Sequence, residues 1–300
     1  MYFTIVMNDK LSLLKAFTVI TIAYAAAYVA SSFSVRNFAS ENSMLATTFY
    51  ADVIATTIIF IFSLAFQNSS FYDPYWSVSP FVIALFWNSA SDEKNSFRNN
   101  LIIAVFLTWG IRLTLNWVRG WKGLQHEDWR YSALKERTSS LYPAVNFLGI
   151  HLFPTCMVFV AMIPAYYAMM NASSQPVNGL DILATFVCLT ATIIELVADE
   201  QQRSFRYRRT NQRMFCSEGL WKYSRHPNYF GEVLFWWGIY LFVPASNPSY
   251  SWTIIGAVAM TVLFIFISIP MMEKHLMEKY PDYVQYQNQV SALIPWFQKK

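Results

Sequence analysis

The sequence predicts an all-α integral membrane protein, a bundle of seven to eight transmembrane helices with polar loops gathered on one face of the membrane. Three observations carry this. Of 300 residues, 55% are hydrophobic and 13% charged, against about 25% charged in soluble domains. Apolar stretches close to the ~20 residues of a helical span recur along the whole chain. Lysine and arginine crowd into alternate connecting segments, the pattern that orients a chain in a bilayer.

The spans are read at 11–33, 45–66, 72–87, 100–117, 144–170, 180–197, 229–243 and 252–271. The first is longer than the apolar stretch of a usual signal peptide and reads as an uncleaved helix. The third, which carries Pro74 and Pro80, and the seventh are short, as tilted or re-entrant pieces would be, hence the lower count of seven. With eight spans and a cytoplasmic N-terminus, the inside segments hold 17 of the 22 Lys and Arg residues. They include Arg119, Lys122, Arg130, Lys135 and Arg137 between spans four and five. Arg203, Arg206, Arg208, Arg209, Arg213, Lys222 and Arg225 lie between spans six and seven. Both termini are then cytoplasmic, in the inner membrane of a bacterium or the endoplasmic reticulum of a eukaryote. No linker, low-complexity tract or repeat divides the chain, which reads as one membrane domain over 1–300.

Several chemistries are excluded. Nine glycines form neither GxGxxG nor GxxxxGK[ST], so no dinucleotide binds in the Rossmann or P-loop manner. Three cysteines and four scattered histidines build neither a disulfide scaffold nor a metal site, and His151, in an apolar span, reads as a satisfied core residue. The aromatic residues near the basic loops suit interfacial belts, and nucleic acid is not expected as a partner. The expected partners are the lipid bilayer and a small lipid-like substrate.

Two stretches remain that can carry chemistry. Glu195, Asp199 and Arg203 are spaced i, i+4, i+8, and Arg206 follows at i+11, so a helix continuing out of span six sets all four on one face. An arginine cluster there suits phosphates, through guanidinium forks, or equally a solvated juxtamembrane run. The block Ser224-Arg225-His226-Pro227-Asn228-Tyr229-Phe230-Gly231-Glu232 follows. Pro227 suits a first helical turn, which places Asn228 and Glu232 one turn apart inside the membrane boundary. An intramembrane carboxylate is costly enough to be a functional candidate, the alternative being an interfacial group snorkelling to water or paired with Arg225.

This block, the Asp199...Arg203...Arg206 helix and the tail Tyr280-Pro281-Asp282-Tyr283...Ile294-Pro295-Trp296 resemble the steroid 5-alpha-reductase family, especially its bacterial-type DUF1295 branch. The similarity covers the C-terminal half well; Asp73-Pro74-Tyr75-Trp76 and Trp109-Gly110-Ile111-Arg112-Leu113 extend it to about residue 70. The resemblance implies a bundle that holds NADPH at its cytoplasmic end and a lipid-like enone within the membrane. Matching cofactor positions are Asp199, Arg203, Arg206, Asn228 and Glu232, with Arg213 a looser match; Glu195, Tyr223, Arg225, His226 and Tyr229 are candidate contacts beside them. The sequence departs from the family where a Glu on an early helix and a Tyr on a later one polarise the substrate carbonyl. Asn116 stands near the position of that Tyr, and Asp52, Asp73 and Tyr75 offer polar groups instead. The family's Asn on span six reads as Glu195. Asp52, inside span two, needs a partner, for which Arg112 is the candidate, while Asp73 before Pro74 suits either capping or catalysis.

The expected activity is therefore NADPH-dependent reduction of a conjugated double bond. Arg225-His226-Pro227-x-Tyr229-x-Gly231 and Met272-Glu273-Lys274-His275-Leu276 also resemble the isoprenylcysteine carboxyl methyltransferases, which use S-adenosylmethionine, making methyl transfer the alternative. A non-catalytic lipid-binding or scaffold protein on the same fold is the third reading.

Overall fold

A computed structural model of the chain describes residues 2–38, 43–92, 96–171, 175–208 and 215–298. Its long helices are α1 (Tyr2–Phe38), α2 (Met44–Ala65), α3 (Tyr75–Ala90) and α4 (Phe97–Gly120). The short α5 (Trp129–Thr138) and α6 (Tyr142–Val145) lead through a π-helical turn, Asn146–Leu152, into α7 (Phe153–Met170). Then come α8 (Gly179–Arg208), α9 (Pro227–Ser246), α10 (Ile255–Leu263), α11 (Ile269–Lys279) and α12 (Tyr283–Gln289). No strand occurs among the described residues, only an isolated parallel bridge between Ser224 and Ser291.

Six helical stretches are long and apolar enough to cross a membrane: Ser12–Asn37, Met44–Ala65, Phe97–Gly120, Trp129–Met170, Gly179–Arg208 and Pro248–Lys279. The chain is thus a multi-pass helical membrane protein. The two segments expected to be short are helical but not among these six. The third is α3, 16 residues with Pro80 inside it. The seventh is α9, 20 residues with most of its length buried.

The chain divides into two compact units. The first comprises Met1–Ile83 and Leu113–Phe159. Ala16, Ile20, Ala23 and Ala27 form a stripe of mostly small residues on α1, which packs against α2 around Ala55 and Ile59. Small side chains let membrane helices approach closely enough for dispersion to hold them. Helix α2 carries a buried polar stripe, with Asp52, Thr56 and Ser63 facing one way. Thr56 pairs with Thr155 at 2.9 Å, and Tyr72 with Thr155 at 2.8 Å. His151 is a satisfied core residue, its Nε2 2.9 Å from Ser63 Oγ and its Nδ1 3.1 Å from the Asn146 carbonyl in the π turn. Asp128 caps α5, accepting from the Arg130 amide at 2.9 Å and the Arg130 guanidinium at 2.8 Å. Burial pushes its carboxyl up, but the Arg130 fork outweighs this and holds it below the usual range.

The second unit comprises Ala84–Arg112 and Val160–Lys300. Its centre is the α8–α9 pair, where Ala184, Cys188, Ala191 and Ala198 of α8 meet Gly231 and Gly238 of α9. A Cβ at Gly231 would lie 2.4 Å from Glu195 Cγ and 2.9 Å from the Ala191 carbonyl oxygen, and one at Gly238 2.5 Å from Cys188 Sγ. Only glycine fits either place. Elsewhere in this unit Arg98, fully buried, makes a two-pronged ion pair with Asp181 at 2.7 and 2.9 Å and also donates to the Gln175, Pro176 and Ala245 carbonyls. This pins the start of α4 to the start of α8.

Candidate functional site

The chemistry-bearing face of the second unit starts on α4. Phe106, Trp109 and Arg112 share its buried side, and Trp109 stacks on Phe235 of α9 with ring centroids 4.9 Å apart. The Trp109 indole donates to Glu232 Oε2 at 3.1 Å, and Trp236 donates to Oε1 at 2.9 Å. Glu232 is therefore held by two neutral indole donors and meets the Glu195 carboxyl. One turn beyond Trp109, the Arg112 guanidinium forks, one arm to Glu195 and the other to Asp199. The i, i+4 spacing of the two acids brings both to the same guanidinium.

Helix α8 continues past its apolar part through Arg208, as the periodicity predicts. Its functional side becomes wetter along its length: the side chains of Glu195, Asp199 and Arg203 are 1%, 13% and 19% exposed, and Arg206 is exposed. Arg203 pairs with Glu200 at 3.8 Å, and Arg208 with Glu218. The segment before α9 folds back on this end. Gly219 adopts φ +61°, the left-handed region that glycine favours, and the next amide, of Leu220, donates to Gln201 Oε1 at 2.8 Å. The Trp221 indole donates to the Ala198 carbonyl at 3.0 Å. Arg213, and Arg209 with it, lies outside the described residues.

Arg225 and His226 converge on Glu273 of α11, at 2.6 and 3.1 Å, and Gln287 donates to the other oxygen of that carboxylate at 2.6 Å. Arg225 also donates to the Gln287 and Val290 carbonyls. The expected alternative pairing of Glu232 with Arg225 is thus absent. Arg225 serves the C-terminal segment, because the end of α12 and the chain after it bring the Gln287 and Val290 carbonyls to its guanidinium. Ser224 accepts the His226 amide and donates to the Leu293 carbonyl at 2.7 Å. Tyr229 stacks on the His226 ring at 5.1 Å, and Tyr223, exposed, meets Phe297 edge-on. Asn228 follows Pro227 in the first turn of α9, its Oδ1 buried without a hydrogen-bond partner among the described residues. Arg112 Nε is likewise buried without a partner among the described residues, and the Glu195 and Glu232 carboxyls meet side chain to side chain.

The four residues expected to be catalytic lie in the first unit. The Tyr75 hydroxyl donates to Asp52 Oδ1 at 2.6 Å, joining α3 to α2 around a buried carboxylate. Tyr75, not Arg112, is thus the partner Asp52 needs, since the α4 guanidinium is taken by Glu195 and Asp199. Asp73 accepts from Tyr131 of α5 at 2.5 Å. Asn116 is half-buried on α4. Sequence reasoning missed the two indoles on Glu232 and the Glu273 hub. Trp109, within a motif already singled out, and Glu273, within the methyltransferase-like tail, were the available signals.

Fold and site together define a multi-pass helical membrane protein with a buried network of acids and one arginine leading to an exposed arginine cluster. The chain belongs to the family described as "Protein of unknown function (DUF1295)", which matches residues 59–290. An uncharacterized protein of Schizosaccharomyces pombe is 28% identical over 252 residues, covering 76% of this chain and 73% of that one. Methanethiol S-methyltransferase 1 of Bradyrhizobium diazoefficiens is 33% identical over 78 residues, 26% of this chain and 25% of that protein's length. No solved structure matches the chain significantly.

Proposed function

We propose that the protein is an NADPH-dependent membrane reductase acting on the conjugated double bond of a lipid-like or steroid-like enone, as the resemblance to the steroid 5-alpha-reductases implies. One observation supports this best. The buried Asn228 Oδ1, without a partner among the described residues, calls for an N–H donor, and the exposed guanidinium of Arg206 on α8 suits an anion. A ligand with an amide at one end and phosphates along its length suits both, and NADPH has this form. When bound, it supplies hydride to the far carbon of the double bond.

The chain's own part is binding, orientation and proton supply. Arg112 fixes Glu195 and Asp199 side by side, with Glu195 also set against Glu232. Trp109 and Trp236 hold Glu232 in the same way. Arg225 and His226, tied up by Glu273, act as supports that set the start of α9, from which Asn228 projects. The Asp52–Tyr75 pair is our candidate for polarising the substrate carbonyl, the phenol holding the proton and the carboxylate orienting it. Asp73 and Asn116 are further candidates for this role.

Methyl transfer from S-adenosylmethionine is the second reading, favoured by the 78-residue similarity to a methyltransferase. Its cofactor has no phosphate to engage the arginines. Proteoliposomes given deuterium-labelled NADPH and a panel of enones decide between them. The reductase reading expects a saturated product one deuterium heavier by mass spectrometry. Methylated product from S-adenosylmethionine, with no NADPH consumed, contradicts it.

A further inference from the structure

The first unit holds a run of hydroxyls that ends on an acid. Asp52, 6% exposed inside the span Met44–Ala65, has no ion-pair partner among the described residues and accepts from the Tyr75 hydroxyl at 2.6 Å. That hydroxyl also meets the hydroxyl of Thr56, one turn further along α2. Thr56 lies 2.9 Å from the Thr155 hydroxyl of α7, which in turn lies 2.8 Å from the Tyr72 hydroxyl. Thr155 also reaches the His151 carbonyl at 2.9 Å, so its one proton has three oxygens to turn between. Tyr72, Thr155, Thr56, Tyr75 and Asp52 thus stand in series, all five buried.

The two ends of the series have different surroundings. Asp52 stands thirteen residues before the end of α2, about 20 Å along the axis at the ordinary helical rise. Tyr72 belongs to the loop between α2 and α3, outside the six spans. The same loop lines a polar cavity of about 720 Å³, where Gln67 and Asn68 join Gln125, His126, Glu127 and Ser132. A polar cavity of that size admits water to the loop. Tying two membrane helices together takes a single pair of hydroxyls. Hydroxyls in series from a wet loop to an intramembrane carboxyl have the arrangement of a proton relay.

We propose that Tyr72, Thr155 and Thr56 form a proton relay from the α2–α3 loop to the Tyr75–Asp52 pair. The path rests on the hydrogen bonds, while its use in catalysis rests on the reductase reading. Reduction of an enone adds one hydride and one proton. As charge gathers on the substrate carbonyl oxygen, the Tyr75 O–H bond breaks, its electron pair stays on the phenol oxygen, and the proton passes to the substrate. Thr56 then gives its proton to Tyr75, Thr155 to Thr56 and Tyr72 to Thr155, and Tyr72 recovers one from water at the loop. The enol so formed becomes the saturated ketone when its proton moves from oxygen to the near carbon.

Thr155→Val keeps the shape of the side chain and removes the hydroxyl shared by Thr56 and Tyr72; Tyr72→Phe cuts the series one step earlier, and Thr155→Ser restores it. Infrared spectra of the purified full-length chain in detergent, without cofactor and at a pH low enough to protonate the carboxyl, follow deuteration of the band that Asp52→Asn removes. Exchange should slow about tenfold or more in Thr155→Val and Tyr72→Phe and recover in Thr155→Ser. Equal rates in the wild type and both broken series overturn the relay, whatever the enzyme reduces. With NADPH and a panel of steroid-like enones, kcat should fall about tenfold in Thr155→Val at unchanged KM, and Thr155→Ser should regain it. A loss of kcat matched by a rise in KM, and not rescued by serine, makes Thr155 a packing residue and overturns its part in the relay. Slowed exchange with no enone reduced supports the path and overturns the reductase reading.

Discussion

Replacing Arg112 with methionine tests the centre of the site. The guanidinium is 7% exposed and is the shared partner of Glu195 and Asp199. Removing one member of a buried ion pair costs about 3–5 kcal/mol, because the remaining charge is left uncompensated. Two carboxylates are stranded here, which puts Arg112→Met at the upper end. At about 2–4 °C per kcal/mol, about 5 kcal/mol should lower the melting temperature by about 10–20 °C. Arg112→Lys keeps the charge but a single ammonium cannot span two carboxylates as a fork does, so its loss should be intermediate. The combination Arg112→Met, Glu195→Gln and Asp199→Asn strands no charge and should regain most of the loss in stability, without regaining cofactor affinity. Scanning fluorimetry and calorimetry on the same preparations read both quantities. Arg112→Met melting within about 2 °C of the wild type would refute the reasoning, since no buried carboxylate could then depend on the guanidinium.

Gly231→Ala should cost about 1–3 kcal/mol, because its Cβ would meet backbone and Glu195 at once, whereas Gly149→Ala, with nothing within 4 Å, serves as a neutral control in the same melts. Tyr75→Phe keeps the ring and removes the hydroxyl that donates to Asp52; NADPH affinity should hold while enone reduction falls about a hundredfold, and a parallel loss of both would count against a role in carbonyl polarisation. Asp128 is held below the usual carboxylate range, so its share of stability is full above the unfolded value, near 4, and is lost as the pH falls through the folded one. Asp128→Ala should cost about 1 kcal/mol at neutral pH and flatten that acid limb of the melting curve.

Much of the architecture is legible in the sequence because a bilayer imposes length and apolarity on each span. All eight apolar segments are helical, and the continuation of α8 through Arg208 follows from the spacing of Glu195, Asp199, Arg203 and Arg206. Partnerships across helices are another matter. A period of 3.6 residues sets which side chains share a face but not which helix that face meets. The sequence thus offers Arg112 as the candidate partner of Asp52, whereas its fork lies on Glu195 and Asp199, and Arg225 as only an alternative partner of Glu232, which takes two indoles. Trp109 and Trp236 look like lipid-facing bulk in a linear reading, and only burial against a carboxylate shows that their N–H groups matter. The close approach of Gly231 and Gly238 on α9 to α8 is likewise visible only in the structure.

The central claim is that the acids and arginines along α8 and α9 hold a phosphate-bearing nicotinamide cofactor. Titration of the purified protein with NADPH, NADH and S-adenosylmethionine, repeated on Arg206→Ala, measures this most directly. The account predicts saturable NADPH binding, weaker binding of NADH for want of the 2′-phosphate, and a loss of about 1.5–3 kcal/mol of NADPH affinity in the variant. Saturable binding of S-adenosylmethionine with none of NADPH would contradict it.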